Sequence, residues 1–215
     1  MGINERRKRE KELRERLILD SARELFFNND YENVTMNDIA RAAELGKGTL
    51  YSYFESKESI YGALLMEGLE MLKRAIEKAA GSGGDALTRL LALYAAYQEF
   101  YRKHPAYFRI IFFMAHKDIS ALVSRRMPEG VETGREIREV VAKVVEQGVE
   151  EGTFTPCDSM LTADVLWSSA MGVIMMIEMQ KRNDIKLLDN DDEEMFARIA
   201  QILIIGLTAR TGDAE

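Results

Sequence analysis

At 215 residues, with 47% hydrophobic and 30% charged side chains, the chain can fill one large core or two small ones. A single cysteine, Cys157, excludes an internal disulfide, and two histidines, His104 and His116, are too few for a metal cluster. The charged N-terminus has no apolar signal region, and no run of about 18 uninterrupted apolar residues suggests a membrane span, so the expectation is a cytoplasmic protein.

The net charge of −7 is unusual for a nucleic-acid binder, but it is unevenly spread. Residues 1–16 carry seven basic and four acidic groups, a net +3, which leaves −10 for the rest. A basic leading segment on an acidic body orients a protein toward phosphate. The run Arg6-Arg7-Lys8-Arg9 suits a flexible arm over residues 1–9 on a DNA backbone or minor groove. The interleaved Glu10, Glu12 and Glu15 equally suit a solvated helix face.

Leu13, Leu17, Ser21 or Ala22, Leu25 and Phe26 recur at helical spacing and predict a first helix from about Glu5 to Phe27, ended by Asn28-Asn29-Asp30. Thr35 with Asp38 three residues on reads as a capping box, and Ile39, Ala40 and Ala43 form one apolar face of the helix it starts. Glu44-Leu45-Gly46 makes a turn, and a second short helix runs from about Lys47 to Phe54. At about 100° per residue, Leu50 and Phe54 of that helix point inward, while Gly48, Thr49 and Ser52 point outward, flanked by Tyr51 and Tyr53. Small residues let a backbone sink into a major groove, and a threonine can touch base edges. Tyrosine hydroxyls and the Lys47 ammonium suit phosphates, which set register. Ser56 is a natural N-cap for the next helix, whose first residue, Lys57, can hold a further phosphate.

The stretch Thr35-Met36-Asn37-Asp38-Ile39-Ala40, then Gly46-Lys47-Gly48-Thr49-Leu50-Tyr51-Ser52-Tyr53-Phe54-Glu55-Ser56-Lys57-Glu58, resembles the DNA-binding signature of the TetR family of transcriptional regulators. The resemblance covers roughly residues 10 to 65; beyond it only size and helical character match. One departure lies in the turn, where Glu44 stands at a position commonly glycine and Gly46 at one commonly serine. The resemblance implies an all-α fold of about nine helices. Residues 1–56 would form the helix-turn-helix domain, 57–80 a connecting helix, and 81–215 a helical effector-binding and dimerisation domain. With the helix geometry it gives expected DNA contacts from Thr35, Lys47, Gly48, Thr49, Tyr51, Ser52, Tyr53 and Lys57, to which the basic run adds Arg6 and Arg7.

A fourth helix, Lys57 to Ala80, turns Ile60, Leu64, Leu65, Leu69 and Leu72 inward and stops at Gly81-Ser82-Gly83-Gly84. Further helices follow over Asp85–His104, Pro105–His116, Asp118–Glu151 (a pair, or one disturbed near Pro128), Ser159–Arg182 and Asp191–Arg210. Four acidic residues at the start of the last suit the helix dipole rather than a metal. The last two helices are apolar nearly all round. A helix of that kind needs cover on every side, so a two-fold partner is expected on Ile174, Ile177, Ile202, Ile204 and Ile205.

Aromatic residues crowd the region from Tyr94 to Phe113, and methionines the region from Met171 to Met179. In the family this region encloses an effector cavity. The expected lining is Tyr97, Phe100, Tyr101, Phe108, Phe112, His116, Trp167, Met171 and Met175, walls suited to an apolar or aromatic molecule. Glu178, set among apolar residues, is a candidate for a cationic ligand group or a salt bridge. No nucleophile with a base, paired catalytic carboxylates or metal-ligand spacing is present, so no enzyme activity, cofactor or metal is expected. The expected function is an effector-released homodimeric repressor on a palindromic operator. A DNA-binding regulator without an effector and a helical enzyme stand as alternatives.

Overall fold

The structure, a computed structural model, describes residues 3–112, 128–184, 186, 188–189 and 191–208. Among them are nine helices and no strand: α1 (Ile3–Asn28), α2 (Met36–Ala42), α3 (Lys47–Tyr53), α4 (Lys57–Ala80), α5 (Ala86–Lys103), α6 (Pro105–Phe112), α7 (Pro128–Glu150), α8 (Ser159–Asn183) and α9 (Asp192–Thr208). The all-α expectation holds. The predicted ends of the helices at His116, Asp118 and Arg210 lie outside the described residues.

Local chemistry sets the boundaries. Asp85 caps α5 by accepting from the Thr88 amide at 2.8 Å, and Asp158 caps α8 by accepting from Leu161 at 2.9 Å. Ser56 and Ser59 satisfy each other's backbone N–H at the start of α4. Between α4 and α5 the chain turns on Gly83 and Gly84, both at positive φ.

The contacts divide the chain into two compact units. The first holds residues 1–71 and 104–133, the second 72–103 and 134–215. In the first, Ile18, Ala22 and Phe26 of α1 are buried, together with Ile39 and Ala40 of α2, Leu50 of α3 and Ile60, Leu64, Leu65 and Leu69 of α4. Phe26, Tyr31 and Tyr61 form an aromatic cluster with ring centroids 5.2–5.6 Å apart. Helix α6 is fastened to this unit by polar bonds. The Tyr61 hydroxyl donates to the Ile110 carbonyl at 2.8 Å, Arg23 donates to the Tyr107 hydroxyl at 3.1 Å, and Arg109 to the Phe27 carbonyl at 2.8 Å. Gly68 gives α6 room, since a Cβ there would lie 3.0 Å from the Tyr107 ring.

Two expectations for α1 are corrected. Leu13 and Leu17 are exposed, not buried; the buried stripe is Ile18, Ala22, Phe26, one residue out of phase with them. Residues 3–9 continue α1 as helix, with Arg6 and Arg7 exposed on it, so they are not a flexible arm. The i,i+4 pairs Lys8–Glu12 and Glu10–Arg14 support this extension.

In the second unit the core gathers Leu90, Leu93, Tyr97, Phe100, Val145, Ala163, Ala170, Ile174 and Ile177. The Tyr101 hydroxyl donates to the buried Glu178 carboxylate at 2.7 Å, which gives that carboxylate a structural partner. The loop after α7 folds Phe154 onto Gly148, then ties the Thr155 amide to the Leu207 carbonyl of α9 at 2.8 Å. Cys157 is a free, exposed thiol.

Candidate functional site

The helix-turn-helix begins with the Thr35 cap. Its Oγ accepts from the Asp38 amide at 3.2 Å, and the Asp38 carboxylate accepts from the Thr35 amide at 3.0 Å. The Thr35 hydroxyl also donates to the Asp38 carboxylate at 2.5 Å, and this side-chain bond, followed by the backbone one, holds the Asp38 carboxyl below its ordinary range. The threonine hydroxyl expected to face DNA is thus engaged in the cap.

The turn closes as a Schellman motif: Leu45 donates to the Ala40 carbonyl at 2.9 Å and Glu44 to the Arg41 carbonyl at 3.1 Å. It requires Glu44 to sit at φ +53, the left-handed region. That requirement explains the glycine common at this place, and glutamate pays about 1 kcal/mol for standing there. Glu44→Gly is therefore expected to stabilise the protein by about 0.5–1 kcal/mol, less than the full strain because glycine is also freer when unfolded. Urea unfolding with an unchanged or lower midpoint in the variant would show the turn carries no such strain.

On α3, Leu50 and Phe54 anchor the helix inward at 0% and 7% exposure. Lys47, Gly48, Tyr51 and Ser52 are exposed, with Thr49 and Tyr53 half-exposed beside them. The Lys47 ammonium lies 6.0 Å over the Tyr51 ring, so charge and phenol share one patch. Gly48 sits inside this helix, yet a Cβ there would meet nothing within 4 Å. Helical glycine costs about 1 kcal/mol relative to alanine, and nothing among the described residues requires it here.

Lys57 departs from expectation. Its ammonium donates to the Tyr31 carbonyl at 2.7 Å and lies 4.0 Å over the Tyr31 ring. Burial lowers its pKa. The side chain is folded back on the first unit rather than extended toward a phosphate.

The second unit holds a pocket with about 690 Å³ of empty space, its open mouth included. Ile76 of α4 contributes to it, as do Leu90, Leu93, Tyr94 and Tyr97 of α5. Ile137, Arg138 and Val141 come from α7, Leu166, Trp167 and Ala170 from α8, and Ala200, Leu203 and Ile204 from α9. Burial pushes the Tyr97 hydroxyl up, and the Tyr94 hydroxyl up to about 12; the latter donates to the Phe196 carbonyl at 3.0 Å. Of the expected lining, Tyr97 and Trp167 are in the wall. Phe100 is packed in the core, and Tyr101 is bonded to Glu178. Phe108 and Phe112 belong to the first unit, where their rings lie 4.6 Å apart. Met171 and Met175 stand outside the wall, Met175 being exposed. His116 lies outside the described residues. Sequence reasoning missed Arg138 and the α9 wall; Arg138 had no periodicity to mark it.

Helices α8 and α9 pack on each other and leave an apolar face uncovered. Leu161, Val165, Met175 and Met179 are exposed on α8, and Ile202 and Ile205 on α9. Gly172 and Gly206 open onto empty space. Ile174 and Ile177, expected on this face, are instead buried within the chain, and Ile204 is in the pocket wall. By length and mean hydropathy α8 would also pass for a membrane span. Its apolar residues divide between a face packed on the chain's own core and this exposed face.

A capped helix-turn-helix with an exposed polar recognition surface, carried with a helical unit around an apolar pocket, defines a helix-turn-helix transcriptional regulator. Residues 18–64 match the family of bacterial regulatory proteins of the tetR type, and residues 90–203 match the tetracyclin repressor-like C-terminal domain. The chain belongs to the TetR family. It is 27% identical over 167 residues to the HTH-type transcriptional regulator YhgD of Bacillus subtilis, covering 78% of this chain and 85% of that one. Among solved structures, the ketosteroid transcriptional regulator KstR2 of Mycobacterium tuberculosis superposes with a TM-score of 0.70 at 25% identity, over 92% of this chain and 96% of that one. FadR of Bacillus subtilis, in complex with stearoyl-CoA, shares the fold with a TM-score of 0.72 at 16% identity, over 89% and 98% of the two chains.

Proposed function

We propose that this chain is a homodimeric repressor that holds a palindromic operator through α3 and releases it when an apolar small molecule occupies the pocket lined by α4, α5, α7, α8 and α9. Residues 1–56 read DNA, 57–80 connect, and 81–215 sense the effector and dimerise. The observation that carries the DNA half is Gly48. Set between Lys47 and Tyr51 on the exposed polar face of α3, it leaves room there for another molecule's backbone to approach closely. Lys47 and Tyr51 flank it and supply phosphate contacts; Thr49 and Ser52 face base edges. Arg6 and Arg7 add charge from the helical start of α1.

The effector half is supported by the pocket's almost wholly apolar walls, drawn from five helices. The stearoyl-CoA complex of FadR shows that a protein of this fold carries an acyl ligand. The exposed α8–α9 face supports the dimer, with Leu161, Val165, Met175, Met179, Ile202 and Ile205 buried against their symmetry mates.

The test is to select the operator from a random DNA pool with the purified protein, then to titrate variants on it. Tyr51→Phe is expected to weaken binding by about 1 kcal/mol through loss of one phosphate hydrogen bond. Lys47→Ala should weaken it on every sequence and flatten the salt dependence by about one unit of slope. Operator affinity unchanged in both variants would remove α3 as the reading helix.

A further inference from the structure

We propose that the pocket's ligand is an apolar molecule carrying a carboxylate, and that Arg138 is the residue that holds the acid. This rests on the effector reading above and narrows it. Among the described residues that line the pocket, Arg138 is the one that is charged. An arginine in an apolar wall demands a reason, because a guanidinium is costly to remove from water unless its donors are satisfied.

Its partnership inside the chain is incomplete. The Nη1 atom lies 3.6 Å from Asp164 Oδ1, an ion pair longer than a hydrogen bond. The Nε of Arg138 and the Oδ1 of Asp164 are both buried with no hydrogen-bond partner among the described residues. The guanidinium also lies 5.9 Å over the Trp167 ring, which helps hold it at the wall. A carboxylate accepts two parallel bonds from the arginine fork, so a ligand acid would supply the acceptors the chain leaves out. About a third of the Arg138 side chain is still exposed. An amphiphile therefore fits with its apolar body among Leu90, Leu93, Ile137 and Leu203 and its acid at the solvent-reaching guanidinium. Asp164 keeps the arginine in place in the empty pocket and repels the incoming anion.

The probes are decanoic acid and its uncharged twin methyl decanoate, followed by Trp167 fluorescence on the full chain at neutral pH. The acid is expected to bind at least about tenfold tighter than the ester. Arg138→Gln should abolish the preference, so that acid and ester bind this variant with equal affinity. Asp164→Asn should tighten the acid alone. Equal affinities of acid and ester for the unmodified protein, or an acid preference surviving in Arg138→Gln, would overturn the anchor and leave the apolar pocket standing. If Arg138→Gln loses both ligands, Arg138→Lys decides: a retained acid preference supports the anchor and its loss overturns it. If neither ligand binds the unmodified protein, the effector-pocket reading fails together with this proposal.

Discussion

Ile202→Glu and Ile205→Glu are each expected to yield monomers that bind the operator at least about 100-fold more weakly than the unmodified protein. Both side chains are more than half exposed on the isolated chain, at 55% and 57%, so the substitutions create no cavity within it. A two-fold interface presents each position twice, so one substitution places two carboxylates in an apolar contact. Burying an unpaired charge costs several kcal/mol, more than a dimer of moderate affinity can absorb. A monomer then holds one half-site and loses the second, effectively intramolecular, binding event, a factor of roughly 10²–10⁴. Val131→Glu is the control: Val131 is similarly exposed, at 54%, but lies on α7. It should leave assembly and operator affinity as they were. Sedimentation of Ile202→Glu and Ile205→Glu as intact dimers would move the interface away from the α8–α9 face.

The α8–α9 face also shows where sequence patterning stops. Around α8 nearly every direction is apolar, so spacing alone does not tell which side meets the chain's own core. Packing decides it: Ile174 and Ile177 turn inward, while Met175 and Met179, one or two positions away, turn out. The same ambiguity of phase affected α1. Leu13–Leu17 and Ile18–Ala22–Phe26 are both i,i+4 series, displaced by about 100° of helix rotation. The second series is the one that packs, and the leucines of the first stay exposed. In α4 the apolar stripe read from spacing is the one that packs: Ile60, Leu64, Leu65, Leu69 and Leu72 are all buried.

The helix-turn-helix fold was the most legible part because its determinants are local. The Thr35–Asp38 box, the turn and the Leu50–Phe54 anchor all act within about 20 residues of sequence. The pocket draws its wall from five helices instead, and composition has no means of distributing side chains among them. The aromatic run from Tyr94 to Phe112 looks continuous in sequence. Yet Tyr94 and Tyr97 line the pocket of one unit while Phe108 is sealed in the other. Lys57 was misread for a related reason: Tyr31, which takes its ammonium, lies 26 residues earlier in the chain.

Two glycines on one helix give the second large effect. In an exposed helix interior, Gly→Ala stabilises by up to about 1 kcal/mol, because alanine has less backbone freedom to lose. Gly134 of α7 meets this condition, since a Cβ there would touch nothing within 4 Å, and Gly134→Ala should raise stability by roughly that amount. Gly148, four turns along the same helix, should show the opposite sign. A Cβ there would sit 2.0 Å from Cδ2 and 2.3 Å from Cε2 of Phe154, well inside van der Waals contact. Phe154 is 3% exposed and carries the loop that bonds to Leu207 of α9 through Thr155, so the ring has no free direction of retreat. Gly148→Ala must then displace the ring and the loop, and overpacking of this kind costs about 1–3 kcal/mol or more against a helix-propensity gain of about 1. The steric term wins, and the variant should unfold at lower urea concentration. Phe154→Ala in the Gly148→Ala background should recover part of the loss relative to the sum of the two single changes, because it removes the atom group that clashes. Equal midpoints for Gly134→Ala and Gly148→Ala would mean that the Phe154 ring does not pack on α7. The loop linking α7 to α8 would then no longer be fixed by that contact.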